Sequence, residues 1–216
     1  MQATVPLDHV ALGDRPLIVC DIDEVALEFL TPFRNFLLSR GHDLLPRSFR
    51  LHGNIVTLPD GGVTADDLVA ILLEDFFATQ EDWQGAAELA VDTLTALGRE
   101  ADVVFLTAMP PRHEAARRRL LDRLGLPFPM VATEDAKGPV VRALHRQRPL
   151  PAVFIDDISR NLQSVRDHAP ETLLVHLMAN AQFRAMMPDP GDGILKATGW
   201  ADAAEHIRRH WSPGRP

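Results

Sequence analysis

Asp21 and Asp23 stand one residue apart in the run Pro-Leu-Ile-Val-Cys-Asp-Ile-Asp-Glu-Val at 16–25. Leu17, Ile18, Val19 and Cys20 before them are unbroken apolar sequence, the pattern of a parallel strand buried on both faces. Two carboxylates at the end of such a strand repel each other and lose water, which is tolerable where a cation or a proton compensates. Open α/β sheets form their ligand crevice at the carboxyl ends of these strands. An acidic turn that merely closes a strand is the plain alternative, and the rest of the chain decides between the two.

Polar residues recur at the ends of later apolar runs. The run Asp102–Thr107 ends in Thr107, the run Ala152–Asp156 ends in the pair Asp156-Asp157, and Lys137 precedes a predicted helix. Taken singly, each has an ordinary role as a cap, a solvated lysine or a helix N-terminal charge. Their joint placement in one crevice points to chemistry. Two like charges about 4 Å apart repel by roughly 4 kcal/mol at an effective dielectric of about 20. A divalent cation with one lysine reverses that sign, and three acids can hold the cation.

The elements that must position these groups follow from the apolar spacing. Residues 1–15 read as a lead-in arm. Thr31-Pro32 is a candidate helix start closed by Gly41, the alternative being one longer helix from about residue 26. Residues 42–63 read as irregular, with a turn at Pro59-Asp60-Gly61-Gly62. Helices are expected after Thr64, through Ala87–Leu97, from Pro111 to Gly125, from Gly138 through Leu144, over Ser159–His168 and, on the surface, around Ala201–Arg209. Strands are expected at 17–20, 102–107, 128–132, 152–156 and 172–177. The alternation predicts an α/β, Rossmann-like, doubly wound parallel sheet. The interruption after the first strand is too long for a loop and predicts an inserted helical cap over the crevice. The expected division is a core of 1–25 and 98–216 with a cap of 26–97.

With 216 residues, 46% apolar content and a formal net charge of −8, the chain has the composition of a globular protein and not of one that binds a nucleic acid polymer. Small phosphorylated ligands stay open, because a local cationic site can hold them. The lone Cys20 lies in a predicted core strand and reads as an inert thiol. No 18-residue apolar stretch and no basic leader followed by an apolar segment are present, so no membrane association and a cytoplasmic location are expected. Oligomeric state has no signature in the sequence.

In order, Asp21-x-Asp23, the apolar-apolar-Thr of 105–107, Lys137 and Asp156-Asp157 resemble the four motifs of the haloacid dehalogenase superfamily, phosphatase branch. The insertion between the first two motifs resembles that family's first cap type. The resemblance implies a Mg2+-dependent enzyme that forms an aspartyl-phosphate from a small phosphorylated metabolite. It implies Asp21 as nucleophile and metal ligand, and Asp23 as general acid/base whose backbone carbonyl contacts the metal. Asp157 is the preferred direct or water-mediated ligand with Asp156 as its support. It implies that Thr107 and the amide of Ala108 hold phosphate oxygens and that Lys137 neutralises the nucleophile–phosphate pair. Retention of Asp23 argues against halide displacement, whose branch does not keep that acid. The Asp-Asp pair and the insertion also resemble the cytosolic deoxyribonucleotidases. Glu24 departs from the glycine common at its position and would place a negative side chain near the mouth. A phosphomutase or phosphotransferase using the same aspartyl-phosphate, or a non-catalytic phosphate-binding protein on the same fold, are the competing functions. Arg34 and Arg50 are candidates for a second anionic group of the substrate and Phe33 for stacking on a base, against core or solvated roles for each. Arg117–Arg119 read as a solvated helix face.

Overall fold

A computed structural model of the chain describes residues 5–48, 50–146 and 148–211; the first four residues of the lead-in arm lie outside them. The elements in order are β1 (Leu17–Cys20), α1 (Leu30–Ser39), β2 (His42–Leu44), β3 (Ile55–Thr57), α2 (Asp66–Ala78), α3 (Ala90–Leu97), β4 (Asp102–Thr107), α4 (Glu114–Arg123), β5 (Met130–Ala132), α5 (Lys137–His145), β6 (Ala152–Asp156), α6 (Ser159–His168), β7 (Leu173–Leu177), α7 (Ala181–Arg184), β8 (Ile194–Ala197) and α8 (Trp200–Trp211).

Six strands form one sheet in the order β5-β4-β1-β6-β7-β8, every neighbouring pair parallel. Side chains alternate across it and both faces are covered, which is why the central strand β1 is apolar throughout. Ile18, Cys20, Phe105 and Ile155 pack on one face under α3, α4 and α8. Leu17, Val19, Leu106 and Phe154 pack on the other against α5 and α6. Each such side chain contributes about 1.5–3 kcal/mol on burial, so the strand that carries Asp21 on its end is firmly held. The chain leaves β1 toward β4 and β5, then crosses to β6 on the other side of β1. The switch point therefore lies at β1, where the crevice is expected. Among the described residues, no helix is long and apolar enough to cross a membrane.

Between β1 and α3 the chain builds a cap with its own apolar centre, including Phe33, Phe36, Leu44, Ile55, Val69 and Phe76. The two crossings into it are tied together: the Glu28 amide donates to the Gly85 carbonyl and the Ala87 amide to the Ala26 carbonyl, each at 3.0 Å. Two local expectations change. Residues 42–63 hold an antiparallel ribbon, β2 with β3, in place of irregular chain. Helix α3 packs its Ala90, Leu94 and Leu97 against the sheet and not against the cap. Helix α8 is the expected surface helix: it buries Trp200, Ala203, Ala204 and Ile207 on the sheet and leaves Ala201, Glu205, Arg208 and Arg209 exposed.

Candidate active site

The carboxyl ends of β1, β4 and β6 meet the N-terminus of α5 beneath the cap, around a cavity of about 390 Å³. Asp21, Asp23, Thr107, Ala108, Lys137 and Asp157 all line it. Residues from four separate stretches of sequence therefore converge as expected.

Lys137 is the first residue of α5 and is buried. Its Nζ donates to Asp21 Oδ1 at 2.6 Å and to Asp156 Oδ2 at 2.7 Å. Gly138 allows this placement, since a Cβ there would lie 2.2 Å from the Ser164 backbone oxygen of α6. Asp156 is fully buried and saturated: it also accepts from the Ile158 amide and from Asn161 Nδ2. It supports Lys137 and does not line the cavity. The Asp157 carboxylate, among the described residues, takes no hydrogen bond and lines the cavity, while its carbonyl meets His176 Nε2 at 2.8 Å. One oxygen each of Asp21, Asp156 and Asp157 lie within 4.8 Å of one another.

Three buried carboxylates face one ammonium, and the imbalance shows in the titration of Asp21 and Asp157. Burial outweighs the nearby Lys137 and, with Asp156, pushes Asp21 up to about 7. Burial and the charges of Asp156 and Asp21 also raise Asp157 well above the usual carboxylate range. Burial alone would lower Lys137, but Asp156 and Asp21 overcome it and hold the ammonium charged. Such a set of oxygen donors, short of positive charge and partly unsaturated at Asp157, fits a hard divalent cation.

Asp23 carries the unexpected contact. Its Oδ1 accepts from Arg117 Nη2 and from Gln84 Nε2, both at 2.9 Å, while Oδ2 takes no bond from a described residue. Arg117 was expected on a solvated face and is instead fully buried. It also donates through Nε to Gln80 Oε1 and through Nη2 to Gln84 Oε1 at 3.2 Å. The triple-arginine run concealed this, because Arg119, two residues on, faces outward to Glu81 and the residue type does not distinguish it from Arg117. The faint signal was spacing: Arg117 lies three and four residues before Leu120 and Leu121, on the helix's buried stripe.

Glu24 is a second correction. It lines the cavity, but its carboxylate is turned to backbone amides and not toward a ligand. Its Oε2 accepts from the Phe29 and Leu30 amides at 3.1 and 2.7 Å, capping α1, and its Oε1 accepts from the Asn180 amide at 2.6 Å. Burial raises its carboxyl despite those three donors. A φ of 63° at Glu24 and the Trp200 indole bond to the Val25 carbonyl, 3.0 Å, shape the turn that follows Asp21. Helix α1 accordingly begins at Leu30, with Thr31 and Pro32 inside its first turn.

Of the two cap arginines, Arg50 lines the cavity, and its guanidinium has no partner among the described residues. Arg34 does not line it; α1 directs it to Asp43 of β2, where Nε and Oδ1 are 2.7 Å apart. Phe33 is buried in the cap centre. His113 and Arg112 both bond Glu74 of α2, fastening the cap to the core. Thr107 Oγ1 accepts from the Met109 amide at 3.1 Å, leaving its O–H proton available to a ligand. Cys20 is buried, as expected of a core thiol.

No protein-family model matches the sequence, and no curated protein matches it. Solved structures do match. A haloacid dehalogenase-like hydrolase from Streptococcus pneumoniae is 13% identical, with 90% of this chain and 99% of that chain covered at a TM-score of 0.59. A protein described as a predicted phosphoglycolate phosphatase from Haemophilus somnus is 12% identical, with 91% and 100% covered at 0.57. A defluorinating L-2-haloacid dehalogenase is 11% identical, with 90% and 95% covered at 0.58. Sheet order, cap position and these likenesses agree that the chain has the haloacid dehalogenase-like fold.

Proposed function

We propose that the protein is a Mg2+-dependent phosphomonoesterase that hydrolyses a small phosphorylated metabolite through an aspartyl-phosphate on Asp21. The observation that carries this reading is the meeting of Asp21, Asp157 and Lys137 with Thr107 and Asp23 around one cavity. Asp21 and Asp157, with the Asp23 backbone carbonyl, are the residues that would hold the ion. Bound there, Mg2+ supplies charge neutralisation for the phosphoryl oxygens.

The Asp21 oxygen that takes no bond from Lys137 attacks phosphorus. The phosphorus–oxygen bond to the leaving alcohol breaks, and that oxygen takes a proton from Asp23. A water molecule then attacks the phosphoryl group, Asp23 accepts its proton, and the bond to Asp21 breaks. Arg117 and Gln84 hold Asp23 by Oδ1, which leaves Oδ2 for both proton transfers. Lys137 offsets the repulsion between nucleophile and phosphate, and the Thr107 hydroxyl with the Ala108 amide steadies the phosphoryl oxygens. The presence of Asp23 supports ester hydrolysis over halide displacement, which calls for no proton on the leaving group.

Phosphate release from para-nitrophenyl phosphate tests the reading. The expected result is turnover with Mg2+, loss with a chelator and loss in Asp21→Asn. An Asp21→Asn variant as active as the parent refutes it.

A further inference from the structure

The two ends of the cavity differ in chemistry. Its floor holds the carboxyl, ammonium and hydroxyl groups already described. Its upper walls are Phe29, Leu51, Leu73 and Phe77 from the cap and Met178 and Phe183 from the segment after β7. The remaining polar side chains on the wall are mostly committed elsewhere. The Glu24 carboxylate is taken by three backbone amides, and the Asn161 amide donates to Asp156. Among the described residues, Arg50 is the one cap side chain on the wall that can bond a ligand's polar group.

From this we infer that the substrate is a phosphomonoester of an apolar, aromatic-bodied alcohol, and not a sugar, polyol or hydroxyacid phosphate. The inference rests on the phosphomonoesterase reading and names its substrate class. A ring seated among these phenylalanine and methionine side chains gains area burial and aromatic contacts. Away from Arg50, a hydroxyl carried to the same wall loses its water and meets apolar side chains, a loss on the order of tenfold in affinity for each such group. A cavity of about 390 Å³ accommodates one ring system beside a phosphate. Arg50 can donate to a single acceptor or anion at the far end of that body.

The test compares esters whose leaving groups are all primary alcohols, so that intrinsic reactivity is matched: 2-phenylethyl phosphate, glycerol phosphate, glucose 6-phosphate and a nucleoside 5′-monophosphate, each with Mg2+. We expect kcat/KM for 2-phenylethyl phosphate to exceed the others by on the order of 100-fold, and Leu51→Gln and Leu73→Gln each to narrow that ratio. Equal or faster turnover of the hydroxylated esters overturns the substrate class while leaving the hydrolytic reading intact. Calorimetric titration with 2-phenylethylphosphonate and a hydroxylated alkylphosphonate reads the same preference without turnover. If no ester is hydrolysed but the aromatic phosphonate binds preferentially, the hydrolytic reading fails and the ligand class stands. Absence of any binding preference overturns the class.

Discussion

Adding one methyl group at Gly138 separates the position of Lys137 from its chemistry. A Cβ on Gly138 would lie 2.2 Å from the Ser164 backbone oxygen, 2.6 Å from its carbonyl carbon and 2.7 Å from His168 Nδ1. Ordinary contact begins at 3.4 Å, so α5 and α6 must part by about 1 Å. The obstacle is helix backbone, which has no rotamer to yield. Overpacking of this kind costs ~1–3 kcal/mol, and each kcal/mol lowers the midpoint of a chain this size by roughly 2–4 °C. The same retreat carries Lys137 Nζ from its 2.6 and 2.7 Å contacts with Asp21 and Asp156. A misplacement of about 1 Å in such a group lowers rate on the order of 100-fold. Scanning calorimetry and steady-state phosphate release on Gly138→Ala measure the two effects. Gly85→Ala, where nothing lies within 4 Å of the added carbon, serves as the control. A Gly138→Ala protein that keeps the parent's midpoint and rate refutes the claim that this helix contact sets the lysine.

Arg117→Met removes the guanidinium from Asp23, Gln80 and Gln84; we expect a loss of about 3–5 kcal/mol in urea unfolding, and a fall in kcat larger than any rise in KM. Partial recovery of kcat in Arg117→Lys is the expected mark of a residue that positions Asp23, and an unchanged urea midpoint in Arg117→Met contradicts it. Asp21 and Asp157 both titrate above their unfolded values. Between about pH 4 and 7 the metal-free native state thus binds more protons than the unfolded state, and this contribution to stability falls as pH rises through that window. Mg2+, which needs the ionised carboxylates, is expected to raise the thermal midpoint more at pH 8 than at pH 5, with the difference reduced in Asp21→Asn; an equal increment at both pH values counts against the cluster as an ion site. Glu24→Gln turns an amide donor toward one of three backbone N–H groups and is expected to cost about 1–3 kcal/mol, seen as a lower urea midpoint; no change would mean that the cap does not depend on this carboxylate.

The parts of the fold readable from the chain were those with unbroken apolar strands. Leu17–Cys20 and Asp102–Thr107 are buried on both faces, and their polar termini fall together because parallel strands end on the same side. Strand β8 has exposed Leu195 and Lys196 at its centre, so no apolar run announced it. The ribbon of β2 and β3 consists of two three-residue strands, too short for a period to register. Site residues supplied by strand ends were legible for the same reason as the strands. Arg117 and Glu24 were not, because a buried charge is indistinguishable from a solvated one until its partners are known. Those partners, Asp23 for the first and the Asn180 amide for the second, lie 94 and 156 residues away. Arg34 was misassigned by the converse effect: Asp43, nine residues on, claims it within the cap.

The nucleophilic role of Asp21 is tested most directly by acid-quenching the protein during turnover of para-nitrophenyl phosphate with Mg2+ and locating the phosphoryl group by mass spectrometry. The expected result is one phosphoryl group on Asp21, released by hydroxylamine, and absent both with a chelator and in Asp21→Asn. Product formation in the first turnover with no label on Asp21, or with the label on another residue, would contradict it.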